Sequence, residues 1–116
     1  MEKEVEIEKL KRFIEDQLQF EKMSVLSAAG YRKFVWEFFT ILDAYKNQGT
    51  EKEDIVDTVN TLHTAQSIFF TGDPQSEDRF GFITEELINF CPSPFFWEVP
   101  LDEYMKKWER LYFPLF

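Results

Sequence analysis

The sequence predicts an all-α fold: a compact bundle of four to five helices with a Pro- and Phe-rich strap before the last one. Three observations predict it. Apolar residues recur at spacings of three and four in segment after segment, helix start and stop residues fall between those segments, and no period-two alternation extends beyond the fragment 80–83. A small hairpin around Phe80 or Phe95 is the one β element left open. With 116 residues and no internal linker, the chain is expected to form one domain. Apolar residues make up 44% of it, including fourteen Phe, three Trp and four Tyr, which is enough to build a core and argues against disorder.

The first helix is placed at residues 2–22, where Ile7, Leu10, Ile14 and Leu18 form a stripe among charges and Glu8 can pair with Arg12. A second helix, residues 28–46, has Ser27 as N-cap and Gly49 as stop signal. Its Tyr31, Phe34, Val35, Phe38, Ile41, Leu42 and Tyr45 share one arc, while Trp36 and Phe39 lie outside it. Either this helix is central and touches neighbours on both flanks, or Trp36 and Phe39 belong to an exposed contact patch.

Thr50 and Glu53 have capping-box spacing, predicting a third helix over residues 51–70. Its core stripe is Ile55, Val59, Leu62, Gln66 and Phe69, with Val56, His63 and Phe70 on the margin and Glu53 and Asp57 on the opposite side. Residues 71–79 read as a loop, and residues 84–90 as a short helix capped by Thr84. Pro92, Pro94 and Pro100 exclude a regular helix over 91–100, leaving an extended strap pinned by Phe95, Phe96 and Trp97. The last helix, residues 102–112, is expected to bury Tyr104, Met105, Trp108, Leu111 and Tyr112 and to end before Pro114.

The net charge of −9 is unevenly distributed. Residues 51–86 hold nine acids (Glu51, Glu53, Asp54, Asp57, Asp73, Glu77, Asp78, Glu85 and Glu86) against Lys52 and Arg79. The segments on either side are nearly neutral. Placed in first turns, Glu51, Glu53, Asp54, Glu85 and Glu86 would each gain about 0.3–1 kcal/mol from a helix dipole. Asp57, Asp73, Glu77 and Asp78 have no such reason to be there. A like-charged face costs self-repulsion but accelerates encounter with a basic partner.

Catalytic patterns are missing from the sequence. His63 is the only histidine and sits beside predicted core positions, and Cys91, the only cysteine, reads as a buried, inert thiol without a disulfide partner or metal-ligand spacing. No glycine-rich phosphate loop, EF-hand order or unopposed basic cluster is present, so an enzyme, a cofactor, a metal and direct nucleic-acid binding are not expected. No apolar run reaches the roughly 20 residues of a membrane span, and the N-terminus alternates Glu and Lys, so a cytosolic location is expected.

The stretch MSVLSAAGYRKFVWEFFTILDAY, residues 23–45, resembles the early helix pair of small bacterial immunity proteins of the colicin D type, which open on serine and alanine and continue as an aromatic helix. It covers about a fifth of the chain. The strap and the final helix have no counterpart in the resemblance, and no residue role is carried over from it. The resemblance implies an acidic inhibitor that occludes the basic active site of a cognate nuclease toxin, its carboxylates standing in for RNA phosphates. The charge map leads to the same expectation: the nine acids, with Trp36 and Phe39 as aromatic anchors, would engage a basic nuclease toxin or other nucleic-acid-binding protein. Two alternatives are a phage-encoded inhibitor of a host defence nuclease, and an adaptor subunit docking through Trp36, Phe39 and the tail Phe113, Pro114, Leu115 and Phe116.

Overall fold

A computed structural model describes the backbone of residues 2–116, with side chains from Glu4 onward. It contains six α-helices and, among the described residues, no strand: α1 (Glu2–Gln17), α2 (Phe20–Ser24), α3 (Ala28–Asn47), α4 (Val56–Gln66), α5 (Pro74–Leu87) and α6 (Leu101–Lys107). The hairpin left open by the sequence does not form, since Phe80 lies inside α5 and Phe95 in the strap.

The amphipathic N-terminal segment breaks once. Leu10, Ile14 and Leu18 are buried as the stripe requires, but Gln19 is extended and a second helix starts at Phe20. The cause lies 46 residues away: the Gln66 side-chain oxygen of α4 accepts the Phe20 N–H at 2.9 Å, satisfying a helix-start donor that an unbroken helix would have used internally. The Gln66 amide also donates to the Gln19 side chain at 3.0 Å. On α1, Glu8 pairs with Lys11 at 3.8 Å, one turn position from the expected Arg12.

α3 begins as predicted, with Ser27 accepting the Gly30 N–H at 3.0 Å, and it is central. Phe38 stacks on Phe13 of α1, while Phe39 on the other flank meets Tyr104 and Trp108 of the C-terminal segment and Phe96 of the strap. Gly49, at φ +106°, turns the chain after α3. Thr50 then closes that turn through its N–H to Tyr45 O at 3.2 Å. With its N–H bonded to Tyr45 O, Thr50 has no donor left for a Glu53 side chain, and the capping box falls one residue later, at Glu51 and Asp54. A single 3-10 turn (Lys52–Asp54) precedes α4, and a second (Ser67–Phe69) follows it, which leaves Phe69 exposed instead of in the core.

The largest departure is at α5. Residues 74–79, expected as loop, are helical, because Asp73 caps the segment through Ser76 and Pro74 occupies the first turn, where its missing N–H costs nothing. Thr84 is therefore not a cap. It is buried inside α5, with its hydroxyl donating to Gly81 O at 2.9 Å. The helix ends at Leu87, and Asn89 takes the left-handed conformation at φ 60° that terminates it.

Arg79 of α5 is buried and reaches the carbonyls of Met23 and Leu26 at 3.2 and 2.6 Å, closing the C-terminal end of α2 with a charged donor. Tyr31 donates to Arg79 O at 2.6 Å, so α2, α3 and α5 share one junction. The strap, a run of bends and turns instead of an extended segment, is held by Phe96, by the Trp97 indole N–H to Leu87 O at 2.7 Å, and by Lys46, whose ammonium donates to Phe96 O and Val99 O. Beyond α6 the chain widens into a π-helical turn (Trp108–Tyr112) and a 3-10 turn (Phe113–Leu115) that contains Pro114 instead of stopping before it. The wider turn carries Tyr112 inward and leaves Leu111 partly exposed.

Candidate functional site

The acids of residues 51–86 do not share one environment. Glu86 is 0% exposed and is no surface residue. It and Glu85 stand in the last turn of α5, not the first turn of a helix, so the helix dipole opposes a carboxylate at both positions. Glu86 is retained inside by Lys107, also buried, whose ammonium lies 2.7 Å from one carboxylate oxygen. Tyr112 donates to that same oxygen, Oε2, Tyr104 donates to Oε1 at 2.7 Å, and the Trp108 indole donates to Tyr104 Oη at 2.8 Å. Lys107 further donates to the carbonyls of Pro92 and Pro94 and lies 3.4 Å from Cys91 Sγ, tying α5 and α6 to the strap.

Cys91 is half-buried, and loss of hydration together with the nearby Glu86 charge pushes its thiol up to about 11, so it stays protonated and a poor nucleophile at neutral pH. Burial likewise raises Tyr31, Tyr104 and Tyr112, with Glu86 adding to the effect at the last two. The sign follows: above pH 9 the unfolded chain releases protons that the folded chain holds, so stability falls as pH rises. Tyrosinate absorbance from these three residues is expected to appear together with loss of helical circular dichroism, and its appearance in the still-folded protein near pH 10 would show that they are not sealed.

Eight acids of the segment remain outside the core, against Lys52, because Glu86 and Arg79 withdraw together. Four have local structural work. Glu51 and Asp54 complete the capping box, Asp73 caps α5, and Glu77 accepts the Gly72 N–H at 2.7 Å. Hydrogen bonding to Ser76 holds the Asp73 carboxyl below its ordinary range. The side chains of Glu53, Asp57, Asp78 and Glu85 make no hydrogen bond or ion pair among the described residues, and all four are exposed; Asp57, expected away from a helix start, stands in the first turn of α4, where the helix dipole favours a carboxylate. Asp57 lines a groove with Glu15 of α1, whereas Glu85 on α5 feels the charges of Asp78, seven residues earlier on the same helix, and of His63. Partial burial raises the Glu85 carboxyl, and His63 opposes that rise. His63 itself is packed against Phe70 and Phe80.

Glu51 and Glu53 belong to a cleft of about 400 Å3 where three chain reversals meet: the turn after α3 (Gly49, Thr50), the 3-10 turn before α4, and the strap (Trp97, Glu98) beside the end of α5 (Asn89). Lys46 and Lys52 also line it. The Lys46 ammonium already has Phe96 O, Val99 O and Asp43 as partners, which matches its three protons and leaves Lys52 as the rim's available cation. No periodicity argument could have found this cleft, because its walls come from residues 46–53, 89 and 97–98.

Of the two expected aromatic anchors, Phe39 is 0% exposed and belongs to the core. The arc drawn from one helix treats its far side as solvent, but here that side is covered by α6 and the strap. Trp36 is half-buried, with its indole N–H donating to Glu109 at 2.8 Å; Arg32 pairs with the same carboxylate at 2.7 Å and helps hold it ionised. Phe113 and Phe116 pack on Tyr31, leaving Leu115 as the exposed apolar tail residue.

Among the described residues no three His, Cys, Asp or Glu side chains converge to hold a metal ion, and no helix is long and apolar enough to cross a membrane. Comparison with known protein families, curated proteins and solved structures finds no significant match to the chain.

Proposed function

We propose that this protein is an acidic inhibitor of the immunity type, acting in the cytosol by binding and occluding a basic nuclease toxin or another nucleic-acid-binding protein. One observation carries the reading: eight carboxylates of residues 51–86 lie outside the core against Lys52, and the side chains of Glu53, Asp57, Asp78 and Glu85 make no hydrogen bond or ion pair among the described residues. Exposed like charges at such density oppose the compact state, and a basic partner offsets that cost by neutralising them. Carboxylates can imitate the phosphates that such a partner ordinarily grips. Desolvated contacts are needed as well, and the half-buried Trp36 offers one.

Reversing Glu53, Asp57 and Asp78 together to Lys is expected to slow association with the partner by roughly ten- to a thousandfold and to flatten its salt dependence. The partner is first obtained by capture from the source cell at low and high salt, and association is then followed by stopped flow. An association rate that stays unchanged and equally salt-dependent in the triple variant excludes this face.

A further inference from the structure

The periodicity of α4 calls for Phe69 in the core, but the chain turns it outward together with its neighbour. Ile68 is 79% exposed and Phe69 40%, side by side in the 3-10 turn that follows α4. Both flanks of the pair are pinned. Before it, the Ser67 hydroxyl donates to Thr64 O at 2.6 Å. After it, Phe70 packs inward on Phe20, His63 and Phe80, and the Gly72 N–H is held by Glu77. A single exposed apolar side chain is ordinary, whereas two large ones fixed on one turn form an apolar patch with no use inside the fold.

The surrounding charge selects the occupant of that patch. Residues 67–78 carry Asp73, Glu77 and Asp78 and no lysine or arginine. Arg79, next in the chain, is buried and bonded to the carbonyls of Met23 and Leu26. α2, packed beside the turn, adds Glu21 and Lys22, which cancel. A second copy of the chain, or an anionic lipid surface, would set negative charge against these carboxylates. We propose that Ile68 and Phe69 are the apolar anchor of the binding face and enter a socket ringed by lysine or arginine on a basic protein partner. Held by the turn, they lose little freedom on docking, and their burial supplies a desolvated contact that the neighbouring carboxylates cannot. The inference rests on the proposed binding of a basic partner and names the contact that governs how long the partner stays bound.

The test uses the full chain in 1H–15N NMR with three decapeptides, of alternating lysine and leucine, glutamate and leucine, and lysine and glycine. The lysine–leucine peptide is expected to move the Ile68, Phe69 and Gly72 amide signals along one saturable curve, about tenfold tighter than the lysine–glycine peptide. Ile68→Ser with Phe69→Ser should weaken it to the level of the lysine–glycine peptide, and Leu115→Ser, which removes an exposed apolar side chain elsewhere, should leave it unchanged. Ile68→Ser alone, at the more exposed position, should give part of the loss, and it decides the matter if the double variant loses its helical circular dichroism. Equal binding of the lysine–leucine peptide by the parent and the folded variants overturns the anchor. If its shifts then centre on Asp57 and Asp78, the acidic-face reading stands without the anchor; if neither lysine peptide perturbs any signal, both fall. Tighter binding of the glutamate–leucine peptide, or Ile68 and Phe69 signals that move with protein concentration alone, overturns the basic occupant.

Discussion

Lys107→Met is expected to destabilise the protein by about 3–5 kcal/mol, because it strands the Glu86 carboxylate at a position with no exposed surface. Against the roughly 5–15 kcal/mol that holds a domain together, this is enough to leave a substantial unfolded population in mild denaturant. Methionine keeps most of the volume, so the loss reports on charge and hydrogen bonding more than on packing. The carbonyls of Pro92 and Pro94 lose their donor as well, and the strap should loosen with the pair. Combining the change with Glu86→Gln removes the stranded charge while keeping an acceptor for the tyrosines, and part of the stability should return. Urea unfolding of the three variants decides the matter. A Lys107→Met midpoint equal to that of the parent would mean the pair is hydrated, and a double variant worse than either single one would mean that charge is not the dominant cost.

Phe39→Ala is expected to cost about 3–5 kcal/mol, the usual range for removing a fully enclosed aromatic ring. Phe39 lies between 5.1 and 5.7 Å, centroid to centroid, from Phe38, Phe96, Tyr104 and Trp108, so its removal opens a void where α3, α6 and the strap meet. Trp36→Ala should cost clearly less, since Trp36 is only partly buried at the edge of the core and Glu109 keeps its pairing with Arg32. The contrast separates the two residues that sequence periodicity had grouped together. A Phe39→Ala protein of parental stability that fails to bind its partner would return Phe39 to the surface and contradict its enclosed position.

These two expectations concern the parts of the molecule least legible in one dimension. Read from the sequence, Glu86 joins the surface acids because a helix starting at Thr84 puts it in a first turn, where a carboxylate meets a favourable dipole at the surface. A signal did exist: Lys107 stands between Met105 and Trp108, among residues that the last helix must bury, and a lysine there asks for a buried anion. Arg79, directly before the buried Phe80, posed the same question. Of the candidate cleft, the sequence exposed Glu51 and Glu53 but not Trp97, Asn89 or Thr50, which are brought to it by chain reversals. The acidic excess of residues 51–86 was legible, since withdrawing one acid and one base leaves it unchanged.

What the sequence determined by itself was local: the all-α class, the capped start of α3, the buried stripes Leu10–Ile14–Leu18 and Ile55–Val59–Leu62–Gln66, the proline-bound strap, and the acidic middle of the chain. Each depends on residues within a few positions of one another, where periodicity, capping and proline geometry operate. Tertiary structure decided where the first helix breaks, which side of α3 is covered, and which charges go inside. Gln66 answering Phe20, α6 closing over Phe39, and Lys107 answering Glu86 all join residues far apart in the chain. A helix pattern shows which side is apolar but not what will meet the other side, and a charge is stable in the interior only when its partner arrives from elsewhere.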